Sequence, residues 1–426
     1  MTSTWKPLLH GPDAERALQS VREIAAELPS AEAASPLRHA SLAGGQAGHA
    51  LFFAYLALHT GEDAAADLAA DLLDKASERL AEEPLPPTLY TGFPGVAWTL
   101  QHLQGRLFEP AGDDDEDPAL EIDEALITPL ERTPWQGEYD LISGLTGVGI
   151  YALERLPRPS AVAVLERIVD RLAETAEPLE DGGVAWFTRP ERLPEWQREH
   201  HPRGNYNLGV AHGLPGVLPV LAGACAAGVN AGKARPLLDA NIRFLLARRL
   251  GPDASSCYGH TYAPWEPSTG SRLAWCYGDP GIAASLLATA RAVSEKDWER
   301  EAMDVGLRSA ACPESTSGIR DAGLCHGAAG LGHLFNRMYQ TTGEERLAEA
   351  ARFWFGRALG YRQEGEGIAG FRSWGTTPDG TMDWRTEPGF LEGVAGIGLA
   401  LLGAISEVEP AWDRILAISV KTPGQP

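Results

Sequence analysis

The chain has 426 residues, 44% of them hydrophobic and 22% charged, and a net charge of −22 at pH 7. That is ample material for a large buried core, while the acidic balance argues against binding nucleic-acid phosphates and against adsorption to anionic membranes. Five cysteines and an N-terminal stretch without an apolar core or cleavage signature fit a cytoplasmic protein whose thiols serve metal binding or catalysis, not a disulfide framework.

In chain order, an amphipathic segment at 13–28 precedes Gly45-Gln-Ala-Gly48, which opens an apolar run. A second amphipathic segment at 64–80 precedes Gly92-Phe-Pro-Gly95, and the acidic run Asp113 to Asp117 then reads as a solvated loop. A weaker amphipathic segment at 119–130 leads to Gly144-Leu-Thr-Gly147, and a clear one follows at 161–173. The interval 178–207 is polar and holds Gly182-Gly-Val-Ala-Trp-Phe-Thr188, which reads as a strand, so an inserted loop or small β excursion is expected there. Gly213-Leu-Pro-Gly216 opens the longest uncharged apolar stretch, to Val229. Pro215 and Pro219 interrupt it, and it is short for a membrane span, so a buried helix is expected. Segments at 234–246, 295–307 and 344–359 alternate with Gly278-Asp-Pro-Gly281, Gly327-Ala-Ala-Gly330 and Gly393-Val-Ala-Gly396.

The chain thus carries seven Gly-x-x-Gly signatures at spacings of 47, 52, 69, 65, 49 and 66 residues. One such motif means little; seven, each opening an Ala/Leu-rich run, define a repeat. A helix apolar nearly all round must be buried, and a helix with one apolar stripe can cover it. Seven inner helices lined by seven outer ones, closed where repeat seven meets repeat one, leave no exposed apolar end. The expected fold is an all-α α/α toroid forming a single domain over 1–426, with the insertion near 178–207. The glycines are not phosphate loops, since no Lys-Ser or Lys-Thr follows and no strand precedes.

Polar residues gather at particular repeat openings. Cys276 and Cys325 each stand two residues before the first glycine of their repeats, at equivalent heights on adjacent loops, and His326 follows Cys325. Two thiolates and an imidazole suit zinc, and three protein ligands leave one tetrahedral position open, as catalytic sites do. His212 directly precedes Gly213, and Asp140 lies four residues before Gly144, both in register with the same mouth. Cys225, Cys257, Cys312, His260 and His333 fall outside that register and read as structural. Sulfur-rich ligation favours thiol chemistry: zinc with two thiolates is formally neutral, so a further thiolate would be weakly held and nucleophilic.

Trp275-Cys276-Tyr277-Gly278 and Leu324-Cys325-His326-Gly327, set on seven Gly-x-x-Gly repeats, resemble the lanthionine synthetase C family of stand-alone lanthipeptide cyclases over essentially the whole chain. The resemblance implies zinc on Cys276, Cys325 and His326, and catalytic roles for His212, Asp140, Arg272 and Tyr277. It implies intramolecular Michael addition of a peptide cysteine to dehydroalanine or dehydrobutyrine, giving (methyl)lanthionine rings without a redox cofactor or nucleotide. The implied partners are a dehydrated precursor peptide, a dehydratase and an exporter in a biosynthetic complex, with no nucleic acid and no membrane insertion. Two other readings remain at this point. A zinc-containing, glutathione-binding relative could keep the ligands and lose the proton-handling residues, whereas Asp140 and His212 are both present here. A prenyltransferase-like toroid would need an Asp ligand and a basic diphosphate patch.

Overall fold

The structure, a computed structural model, describes residues 5–33, 40–109, 117–377 and 380–421; Asp113 to Glu116 of the acidic run lie outside them. The helices in chain order are α1 (Gly11–Ala33), α2 (Gln46–Thr60), α3 (Asp63–Glu82), α4 (Phe93–Leu103), α5 (Leu120–Leu130), α6 (Leu145–Arg155), α7 (Pro159–Thr175), α8 (Glu195–His200), α9 (Leu214–Ala227), α10 (Ala231–Leu246), α11 (Asp279–Val293), α12 (Lys296–Ala310), α13 (Glu314–Ser317), α14 (Ala328–Thr342), α15 (Glu345–Gly360) and α16 (Val394–Ile405). Among the described residues seven short strands accompany them: β1 (Glu177–Pro178), β2 (Val184–Ala185), β3 (Phe187–Thr188), β4 (Asn205–Asn207), β5 (Thr261–Tyr262), β6 (Ser373–Thr376) and β7 (Met382–Arg385).

Each of the seven Gly-x-x-Gly signatures of the repeat starts a helix, and its first glycine is the N-cap residue: Gly45, Gly92, Gly144, Gly213, Gly278, Gly327 and Gly393. The reason is spatial. The loop before the helix folds back onto its first turn, so that at Gly48, Gly95, Gly216, Gly281, Gly330 and Gly396 the carbonyl six residues earlier lies against the second glycine. A Cβ at Gly330 would stand 1.8 Å from the Leu324 carbonyl oxygen, and one at Gly216 would stand 2.2 Å from that of Val210. No side chain fits there.

The helices that follow are apolar all round and buried. α16 carries no charge and is buried from Val394 to Ala404. α9 is buried from Leu214 to Ala224 although Pro219 lies inside it. Pro219 cannot donate to the Pro215 carbonyl four residues back, and the Ser285 hydroxyl of α11 donates to that carbonyl instead, at 2.5 Å. The alternating helices bury one stripe. In α7 the buried positions are Ala161, Val164, Leu165, Ile168, Val169 and Leu172, the 3.6-residue pattern of a covering helix.

The chain forms two compact units, Met1–Asp117 with Ala310–Trp412, and Pro118–Ser309 with Asp413–Gln425. In the first, α2 packs on α3, α4 and α16, and α14 packs on α15 and α16. Repeat one therefore meets repeat seven, as the toroidal expectation requires. In the second, α6 packs on α7 and α9, and α9 packs on α10 and α11. α5 is fastened to this unit by a buried ion pair: Arg155 Nη2 lies 2.7 Å from Asp123 Oδ2, both side chains nearly fully buried. Tyr151 and Ser160 also donate to the Asp123 carboxylate, at 2.7 and 2.6 Å.

The loops before the inner helices are joined by backbone hydrogen bonds at one register, two residues before each first glycine. In the first unit Cys325 N–H donates to Leu391 O at 2.7 Å, Leu391 N–H to Ala43 O at 3.4 Å and Ala43 N–H to Tyr90 O at 2.8 Å. In the second, Ile142 N–H donates to Ala211 O at 3.3 Å and Ala211 N–H to Cys276 O at 3.4 Å. Both cysteines thus occupy the rung that sets loop height.

The interval after α7 holds an antiparallel β1–β2 pair and the strands β3 and β4, which β5, after α10, joins in one sheet of order β3–β4–β5, so the expected strand near 184–188 is present as two short pieces. The β6–β7 hairpin before repeat seven was not expected. All five cysteines are free thiols. The stretch from Gly213 is the buried helix α9, and among the described residues no helix is long and apolar enough to cross a membrane.

Candidate active site

Cys276, Cys325 and His326 each offer one ligand atom, and these atoms all lie within 4.8 Å of one another. They are the group of metal-capable residues expected from register alone. Cys276 is 6% exposed and Cys325 9%. The donor set, two sulfurs and an imidazole, fits a soft or borderline divalent ion.

The Cys325 loop is locked from below by Asp321. One carboxylate oxygen accepts the Gly323 N–H at 3.0 Å, and the other accepts the Trp374 N–H of β6 at 2.8 Å. Tyr90 shares this interior; burial, with the charge of Cys325 adding to it, raises its phenol well above the ordinary range. Cys276 has a cationic neighbour: Arg272 Nη2 lies 3.7 Å from its Sγ. Arg272 therefore faces the Cys276 sulfur.

His212 and Asp140, expected at the same mouth from their register, are hydrogen-bonded to one another. His212 Nδ1 lies 2.5 Å from Asp140 Oδ2, and the other Asp140 oxygen accepts the Ser143 N–H at 2.7 Å. Both partners of the carboxylate are fixed, so the Nδ1–H of His212 points at Asp140 and Nε2 is presented on the far side of the ring. Burial lowers the His212 pKa, but the hydrogen bond and charge of Asp140, with lesser help from Cys276 and Glu138, outweigh it, and the net shift is upward. The His212 side chain remains 42% exposed while Asp140 is 9% exposed, so the imidazole is reachable and its orienting partner is not. Tyr139, stacked on Trp186 at 5.2 Å, donates its hydroxyl to the His212 carbonyl at 3.2 Å.

The Tyr277 ring stands 6.2 Å from that of His212 and 5.8 Å from that of His260, centroid to centroid. His260 lies outside the repeat register and reads as structural in the sequence, yet here its Nε2 accepts the Arg272 N–H at 3.4 Å. Its pKa is lowered by burial and then by the Arg272 charge. Sequence reasoning also passed over Asn207, whose side-chain amide donates to the Tyr277 hydroxyl at 3.0 Å. A signal for Asn207 exists: like Arg272 and Asp321, it stands six residues before the first glycine of its repeat. His260 has no such signal, because the pairing of β4 with β5 brings it in. His333, by contrast, is buried against Trp412 at 4.6 Å, and Cys225, Cys257 and Cys312 are not in the metal-capable group.

A family model described as "Lanthionine synthetase C-like protein" matches residues 37–417. The chain belongs to this family. Among lanthionine synthetase C-like relatives, the nisin biosynthesis protein NisC of Lactococcus lactis subsp. lactis is 27% identical over 282 residues, 60% of this chain. That match spans 64% of NisC, less than two thirds of its length. A solved structure of nisin cyclase shares the fold with a TM-score of 0.72 at 20% identity, covering 94% of this chain and 97% of that one. The α/α toroid expected from the seven repeats is the fold this likeness shows. A cellobiose 2-epimerase from Bacillus thermoamylovorans B4167 has a TM-score of 0.50 at 11% identity, over 91% of this chain and 98% of the other; that likeness concerns the fold alone.

Proposed function

We propose that this lanthionine synthetase C-like protein is a zinc-dependent lanthipeptide cyclase, acting in the cytoplasm on a dehydrated precursor peptide made by a partner dehydratase and passed on to an exporter. In this reading residues 1–426 act as one cyclase domain, with 178–207 as an insertion in it. The observation that carries the proposal is the Cys276, Cys325 and His326 cluster, with Cys276 in a unit that also holds a carboxylate-oriented histidine. Zinc on those three residues would supply a Lewis acid that lowers the pKa of a substrate thiol and leaves one coordination position for it.

The reaction is a Michael addition. The sulfur lone pair of a peptide cysteine forms a bond to the β-carbon of dehydroalanine or dehydrobutyrine, the π pair moves toward the amide oxygen as an enolate, and a proton reaches the α-carbon. The thiol loses one proton and the α-carbon gains one, so no external reagent is consumed. His212 carries that proton at Nε2, and Asp140 holds its Nδ1–H and stabilises the imidazolium. Tyr277 donates toward the enolate oxygen. Arg272, beside the Cys276 sulfur, keeps the ligand set anionic.

The test is mass spectrometry of a dehydrated precursor after thiol alkylation, since cyclisation leaves the mass unchanged but removes alkylatable thiols. The zinc-loaded protein is expected to abolish alkylation, and Cys276→Ala or Cys325→Ala to restore it. Full alkylation after incubation with the wild-type protein would refute the proposal.

A further inference from the structure

Asn207 ends β4 and is 7% exposed. Its Oδ1 accepts the backbone N–H of Gly209 at 2.9 Å. A backbone N–H only donates, so the amide oxygen must sit at that end and the amide nitrogen must face Tyr277. Asn207 Nδ2 therefore donates to the Tyr277 hydroxyl oxygen, at 3.0 Å. A phenol has one proton, and accepting from Asn207 directs that proton away from Asn207.

The ring itself is held by the same loop. A Cβ at Gly209 would stand 2.6 Å from Tyr277 Cδ1 and 2.8 Å from Cε1, so one edge of the ring lies against bare backbone. Two residues on, Ala211 N–H bonds to the Cys276 carbonyl at 3.4 Å, and His212 follows. The 207–212 loop thus holds Tyr277, the backbone of Cys276 and His212 in one frame. The alternative assignment for Asn207, a plain strand-end cap, explains the Gly209 contact but not the amide aimed at a phenol oxygen.

We infer that Asn207 is a positioning residue that sets the direction in which Tyr277 presents its hydroxyl proton. Its role in turnover rests on the cyclase reading; the hydrogen bond does not. Asn207→Leu removes the donor, and Asn207→Asp keeps the shape and the Gly209 contact while turning the donor into an acceptor that draws the Tyr277 proton toward itself.

The experiment combines cyclisation kinetics of Asn207→Leu, Asn207→Asp, Tyr277→Phe and Asn207→Leu/Tyr277→Phe with NMR of protein labelled at tyrosine 13Cζ. The Tyr277 resonance is assigned by its loss in Tyr277→Phe. The expected result is a fall in kcat of about 10- to 100-fold for Asn207→Leu with KM within about twofold, no further fall in the double variant beyond Tyr277→Phe, and a moved Tyr277 resonance in both Asn207 variants. A stationary resonance in a folded Asn207→Asp protein would overturn the inference, as would losses that multiply in the double variant. Failure of the wild-type protein to cyclise would instead sink the cyclase reading, and the resonance alone would then decide for or against the Asn207 bond.

Discussion

Asp140 commits its two oxygens to different partners, the Ser143 N–H and His212 Nδ1, and the consequence for His212 is a testable pH dependence. With its pKa raised in the folded protein, His212 keeps its proton to higher pH than a free imidazole. The pair's contribution to stability is complete below the unfolded value of about 6.5 and is lost as pH rises through the folded one. In Asp140→Asn the limb of the pH–rate profile governed by His212 should move to lower pH, with a rate loss of about 10- to 100-fold. An unmoved limb would mean that Asp140 does not hold this imidazole. Residues of this kind were legible where they shared a register with a repeated glycine: Cys276 and Cys325 at one position, His212 and His326 at another. His260 escaped because the pairing of β4 with β5 brings it in, which spacing along the chain does not encode; Asn207 shares its position six residues before the glycine with Arg272 and Asp321, but its partner, the Tyr277 hydroxyl, is not given by that spacing.

At the scale of elements, two substitutions test what holds the inner helices and their covers. Gly330→Ala sets a Cβ against the Leu324 carbonyl, one residue from Cys325, so it should lower the urea midpoint and weaken metal retention together. A variant as stable and as metal-retaining as wild type would show that the close loop approach is dispensable. Asp123→Ala leaves Arg155 buried without its carboxylate partner, and unfolding in urea should show a loss of about 3–5 kcal/mol; a loss under about 1 kcal/mol would mean the pair is solvated. The covering helices were legible from their period, and most expected boundaries fall within a few residues of those observed. The 13–28 segment stops short of Ala33, since α1 continues through Pro29. The β6–β7 hairpin was not legible: Ser373-Trp-Gly-Thr and Met382-Asp-Trp-Arg are too short for a period of two to stand out, and the pairing that sets Trp374 opposite Trp384, ring centroids 5.4 Å apart, is seen only in the fold.

For the molecule as a whole, the seven repeats carry the fold because each first glycine stands at the N-cap of an inner helix, and within each unit neighbouring loops are joined by backbone hydrogen bonds two residues before that glycine. The buried Asp123–Arg155 pair lay outside what repeats announce, since charged residues on a covering segment read as its solvent face until their partner is known. If Cys276, Cys325 and His326 together bind one metal ion, the zinc content of the purified protein shows it. About one zinc per chain is expected in the wild-type protein and in His212→Asn, with loss of the metal in Cys276→Ala and Cys325→Ala. Wild-type protein without zinc, or cysteine variants that keep it in full, would contradict the account.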